Sequence, residues 1–184
     1  MLTRWLAVAL VLVTAHTAGA TTARDDRKDF QVLKDVATSV DRYTQFTIFD
    51  DINAYVKDGV VTLSGKVTMP YKRNDIAKRV AKIDGVKAVH DEIGVLPVSQ
   101  FDDELRYRIA RSIYGNSNFW NYAIMPNPPI HIVVEHGRVT LTGVVGSNVD
   151  RMLAQSLATQ FGALSVKNAL KTDVEVRDAL DKSE

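Results

Sequence analysis

The chain has 184 residues, 46% apolar and 24% charged, with 23 Lys and Arg against 22 Asp and Glu. This composition excludes collagen-like and wholly disordered chains, and the near-neutral balance leaves no broad basic field for nucleic acid. The absence of cysteine excludes disulfides, thiolate nucleophiles, zinc–thiolate sites and a lipidated N-terminal cysteine.

At the N-terminus Arg4 supplies a positive segment, residues 5–13 are an unbroken apolar run, and Ala18-Gly19-Ala20 offers small residues where a signal peptidase reads. The pattern predicts a signal peptide over 1–20, cleaved after Ala20, and export. A membrane anchor needs about 18 apolar residues, and Thr14, His16 and Thr17 interrupt this run first. Without residues 1–20 the chain carries 22 bases and 22 acids, so the exported form is formally neutral and has no transmembrane helix.

Next, Val32, Leu33, Val36, Ala37 and Val40 fall at helical spacing. A hairpin follows. With Asp58-Gly59 as a two-residue turn, Lys57 pairs Val60 and Val56 pairs Val61, which puts Ile52, Ala54, Val56, Val61, Leu63 and Val67 on one face. Gly65 shares that inward face, where the absence of a side chain is expected to let a helix approach. A second helix is predicted over 71–83, ended by a left-handed cap at Gly85, and a third strand over 86–96. Residues 97–100 read as a linker.

The same order then recurs. Gly59-Val-Val-Thr-Leu-Ser-Gly-Lys-Val67 and Gly137-Arg-Val-Thr-Leu-Thr-Gly-Val-Val145 agree at six of nine positions. Leu105, Ile109, Ala110 and Ile113 make the opening helical stripe of the second copy. Ile130, Ile132 and Val134 face Val139, Leu141 and Val145 across a His136-Gly137 turn, with Gly143 in the place of Gly65. A helix over 149–161, a cap at Gly162 and a strand over 163–176 complete it. The fold class is α+β: two tandem αββαβ domains, 28–97 and 101–176, then a tail over 177–184. Strand, helix, strand in one sheet implies a right-handed crossover, so each domain should be a small mixed three-stranded sheet with helices on one face. The first hairpin strand of each sheet has an open edge that must be covered, paired or blunted; docking of the domains or pairing in a dimer would do this.

Gly59, Val61, Leu63, Gly65, Val67, Gly85 and Val89, repeated as Gly137, Val139, Leu141, Gly143, Val145, Gly162 and Val166, resemble the BON domain. Two such domains behind a signal peptide are similar to the periplasmic, osmotically inducible OsmY-type proteins. The resemblance implies a non-catalytic periplasmic protein associated with phospholipid binding, envelope maintenance and chaperone-like roles, without a cofactor.

The residues themselves carry no recognised catalytic constellation. His131 and Glu135 share an outward strand face and His136 lies in a turn, but a metal site would need further ligands. In the helix over 71–83, Ile76, Val80 and Ile83 cluster on one side and Lys78, Arg79 and Lys82 on the other, with Lys72 and Arg73 at its start. Such a face suits anionic phospholipid headgroups. The second copy carries five extra residues before its hairpin, within a segment holding Phe119, Trp120 and Tyr122, which suit core packing, a membrane interface or an envelope-protein partner. An exposed Trp120 favours an apolar partner; an exposed basic helix with a buried Trp120 favours lipid.

Overall fold

The computed structural model describes residues 18–181. Residues 1–17 of the expected signal peptide lie outside the described residues, and 18–20 begin the first helix. The first domain comprises helix α1 (Ala18–Asp41), strands β1 (Asp51–Lys57) and β2 (Val60–Val67), helix α2 (Pro70–Val80) and strand β3 (Ala88–Val95). The second comprises α3 (Gln100–Tyr114), a short α4 (Trp120–Ala123), β4 (Ile130–Glu135), β5 (Arg138–Val145), α5 (Asn148–Ala158), β6 (Ser165–Asn168), β7 (Lys171–Thr172) and α6 (Asp173–Asp181).

The hairpin registers follow from the turns. Lys57 faces Val60 and Glu135 faces Arg138. Asp58 and His136, at φ 54° and 52°, precede glycines at 79° and 73°, the double left-handed turn that matches strand twist. With that register fixed, Val61, Leu63 and Val67 are buried under Val32, Val36 and Val40 of α1 and Ile76 and Val80 of α2. In the second domain Ile130, Ile132, Val134, Val139, Leu141 and Val145 are buried with Leu105, Ile109 and Ile113 of α3 and Ala154 and Ala158 of α5. Both sheets are mixed as expected: β1 is antiparallel to β2, and β3 runs parallel to it; β4 and β6 repeat this around β5.

Three expectations need correction. The second helices are shorter, because α2 unwinds through turns to Ile83 and α5 tightens into a 3-10 turn over Thr159–Phe161. Gly162 caps that turn at φ 74°, while Gly85, at φ 86°, lies five residues past α2. The strand expected over 163–176 is broken into β6 and β7, which align along β5 in one register and give a four-stranded sheet, and a helix starts at Asp173. Thr172-Asp-Val-Glu175 explains the change. The Thr172 amide donates to Glu175 Oε2 at 2.9 Å and the Thr172 hydroxyl accepts from the Glu175 amide at 3.3 Å, the reciprocal bonds of a capping box.

The third correction concerns the inward glycines. A Cβ on Gly65 would lie 2.1 Å from the Asp51 carbonyl oxygen, and one on Gly143 would lie 1.8 Å from that of Pro129. Neighbouring backbone, together with φ of 116° and 112°, requires these glycines; a packed helix does not.

The domains dock through the loop before β1. The Ile132 amide, on the outer edge of β4, donates to the Ile48 carbonyl at 2.7 Å. The His131 ring meets the Asp50 carbonyl at 2.6 Å, Thr142 donates to Asp51 at 2.8 Å, and Lys66 pairs with Glu135 at 3.1 Å. The first domain thus meets the middle of the second sheet's open edge, at Ile132.

Candidate functional site

The five cations expected on the helix over 71–83 divide into two groups. Lys72 is buried: its ammonium meets Asp50 at 2.7 Å and the Thr68 hydroxyl at 2.8 Å. Arg73 pairs with Asp91 at 2.9 Å and also reaches the Asp91 carbonyl. Neither presents a free charge to a flat surface. The helix start offers them no partner, since α2 opens with Pro70 and has no side-chain cap or acidic residue in its first turn; Asp50 of the loop before β1 and Asp91 of β3 meet them instead.

Lys78, Arg79 and Lys82 are exposed on the far side from buried Ile76 and Val80. The Arg79 guanidinium lies 4.8 Å over the Tyr43 ring, whose hydroxyl donates to Asp75 at 2.9 Å. Among the described residues no ion pair includes Lys78 or Lys82.

Asp50, the partner of Lys72, is the most heavily bonded side chain of the loop before β1 and is fully buried. Its Oδ2 accepts from Lys72 and from the amide and hydroxyl of Thr47, and its Oδ1 from the amide and hydroxyl of Thr68. Burial pushes this carboxyl up, but the bonds from Lys72, Thr68 and Thr47 outweigh it and hold the group below its ordinary value. The network fixes the loop whose carbonyls meet Ile132 and His131.

The aromatic segment also divides. Phe119 is fully buried in the second core, so it cannot be a partner contact; it stacks on Tyr122 with centroids 5.9 Å apart. Tyr122 is half-buried and its hydroxyl accepts from the Gly146 amide at 2.7 Å. These two anchors hold α4 in place and leave Trp120 66% and Ile124 67% exposed one helical turn apart, with Met125 beside them at 43%. Val149 and Met152 of α5, just past Gly146, are exposed as well. The longer connection between α3 and β4 therefore carries an apolar projection on the second domain.

His131 and Glu135 lie on the outward face as expected, but that face turns to the first domain rather than to solvent. Among the described residues no group of three or more His, Asp or Glu could hold a metal ion, and no helix is long and apolar enough to cross a membrane.

Two aspartates were not singled out by the sequence pattern. Asp29 accepts from the amides of Asp58 and Gly59 at 2.6 and 2.9 Å, and Asp102 from those of His136 and Gly137 at 2.8 and 2.7 Å. Each clamps the hairpin turn of its own domain to its own opening helix. They stand 73 apart, the offset that relates the two helical stripes, so the repeat was the signal that could have found them.

A comparison with curated proteins finds no match. Among solved structures, one of CdsD, a structural protein of the Type III secretion system of Chlamydia trachomatis, is 14% identical and covers 80% of this chain and 97% of its own, at a TM-score of 0.29. The C-terminal domain of CdsD is 14% identical and covers 74% and 96%, at a TM-score of 0.25. Both halves of the repeat match one family, described as the BON domain, over residues 29–97 and 102–174, and the chain belongs to the BON-domain family.

Proposed function

We propose that the chain is a non-catalytic periplasmic protein of the cell envelope that binds phospholipid surfaces through the Trp120, Ile124 and Met125 projection. Lys78, Arg79 and Lys82 add a salt-dependent attraction to anionic headgroups. The family is associated with phospholipid binding and with envelope and osmotic stress proteins, which supports the substrate class. Trp120 is exposed, the outcome expected of an apolar partner and not of a lipid contact made by the basic helix alone; its exposure beside Ile124 and Met125 therefore carries the choice of surface, placing the contact with the apolar part of the bilayer and making the α2 cations secondary.

Magnitudes decide between the two faces. Basic side chains near an anionic membrane contribute about 1 kcal/mol each, so the α2 face alone amounts to about 3 kcal/mol, too little for stable attachment. Burying a fully exposed Ile or Met side chain contributes about 1.5–3 kcal/mol; scaled to the 67% and 43% of Ile124 and Met125 that are exposed, the pair contributes roughly 2–3 kcal/mol, and the Trp120 indole, which suits the headgroup boundary, adds to it. The apolar projection is therefore at least the equal of the cations, and unlike theirs its contribution is not screened by salt.

Trp120 exposure also supports a second reading, a chaperone-like or scaffolding contact with another envelope protein. Co-sedimentation with neutral and anionic vesicles separates the two. The lipid reading expects the parent to sediment with both and more with the anionic set, W120A to lose both, and K78Q/R79Q/K82Q to lose only the anionic excess. A parent that stays in solution with both vesicle types would assign the projection to a protein partner.

A further inference from the structure

The two repeats treat equivalent strand edges differently. In each hairpin the residue pair that closes the turn is hydrogen-bonded, so the backbone groups of Ile130, Ile132 and Val134 point outward from β4, and those of Ile52, Ala54 and Val56 point outward from β1. On β4 all three positions are met. The Tyr114 hydroxyl bonds both the carbonyl and the amide of Ile130, at 2.6 and 3.1 Å; Ile48 meets Ile132; Arg106 donates to the Val134 carbonyl at 2.5 Å.

On β1 the residues that would do this work have been replaced. At the offset of 73, Leu33 stands where Arg106 is and Asp41 stands where Tyr114 is. Leucine has no donor, and an ionised aspartate has none for a carbonyl. Among the described residues no hydrogen bond reaches the outward groups of Ile52, Ala54 or Val56. An exposed edge of this kind is normally paired or blunted.

Part of this edge opens into a groove rather than onto a flat surface. Ile52 and Ala54 line a groove of about 620 Å³ between the domains. One wall is apolar and belongs to α1, with Leu33, Ala37 and Val40. The other is the outer face of the second sheet, with Thr140, Thr142, Lys167 and Lys171. Asp41 and Asp51 also border the groove; Asp51 is engaged by Thr142 and Asn53. No ion pair among the described residues includes Lys167 or Lys171.

We propose that this groove docks an extended polypeptide segment of a partner protein, which adds to the open edge of β1 with alternate side chains apolar and acidic. The unmet backbone groups select a peptide backbone over a lipid chain, because only a peptide offers donors and acceptors at the strand repeat. Side chains of an added strand alternate between the two faces of the sheet. Those on the inner face meet the α1 wall, and those on the outer face meet Lys167 and Lys171. The site is separate from the Trp120 projection.

The test uses the full chain and an eight-residue peptide of alternating valine and glutamate, with a valine–lysine peptide as the control. Binding is followed by titration calorimetry and by hydrogen exchange of the Ile52 and Ala54 amides. The acidic peptide should bind at least tenfold tighter than the basic one and slow both amides at least tenfold. K167E/K171E should reverse the preference. A54P should abolish binding while leaving the β1–β2 ladder intact, because the amide it removes points outward. W120A should bind the peptide as the parent does, so this result stands or falls apart from vesicle binding. Absence of binding, binding without slowed exchange at Ile52 and Ala54, or slowing that grows with protein concentration in the absence of peptide would overturn the proposal; the last would give the groove to a second copy of the chain.

Discussion

At the scale of the residue, carboxylates hold the turns and the loop before β1. Asp102 is fully buried and accepts two amide hydrogen bonds from the His136-Gly137 turn. Bonds to a charged group contribute about 1.5–3 kcal/mol each, and their loss leaves buried donors unmet. D102A should therefore lower stability by about 3 kcal/mol, read as a shift in the denaturant midpoint, and D29A by less because the Asp58 turn is more exposed. Asp50 adds a pH dependence. Its folded-state value lies below the ordinary 3.8, so its contribution is complete above that value and is lost as pH falls through the lower, folded one. Unfolding curves should show stability falling steeply below about pH 4, and D50N should flatten that fall. Neither aspartate shows in hydropathy. A lone acid in a polar stretch reads as solvated until the fold brings a turn or a lysine to it, and Lys72 misleads for the same reason.

At the scale of the element, periodicity carried the most information where one face is buried. The hairpins, their registers and the parallel third strand of the first domain follow from the alternation of Val61, Leu63 and Val67 and from the turn dipeptides. The end of the second domain was less legible. Ser165–Asn168 and Lys171–Thr172 share one line along β5, but the run is too polar to define a single strand, and the Thr172–Glu175 capping signal for α6 outweighs continuation. The exposed and buried members of the 119–125 segment could not be separated, since alternation of Phe119, Trp120 and Tyr122 fits either face. Gly143 provides a test of strand approach. With φ 112° and a Cβ placed 1.8 Å from the Pro129 carbonyl oxygen, valine there should cost about 3 kcal/mol or more, beyond ordinary overpacking. A melting temperature equal to the parent's would show that β4 can give way.

At the scale of the whole molecule, the two copies have diverged in use while keeping one fold. The first uses the loop before β1, fixed by the Asp50–Lys72 pair, to meet Ile132 at the middle of β4, and keeps free cations on α2. The second carries an apolar projection in its longer connection between α3 and β4. The central claim is that this projection enters a phospholipid surface. Trp5 and Trp120 are the chain's tryptophans and Trp5 lies in the expected signal peptide, so in the chain from Thr21 onward Trp120 is the sole reporter. Its emission, followed as anionic vesicles carrying a bromine-labelled lipid are added, should shift to the blue and be quenched. Emission unchanged under conditions where the protein sediments with the vesicles would contradict the claim.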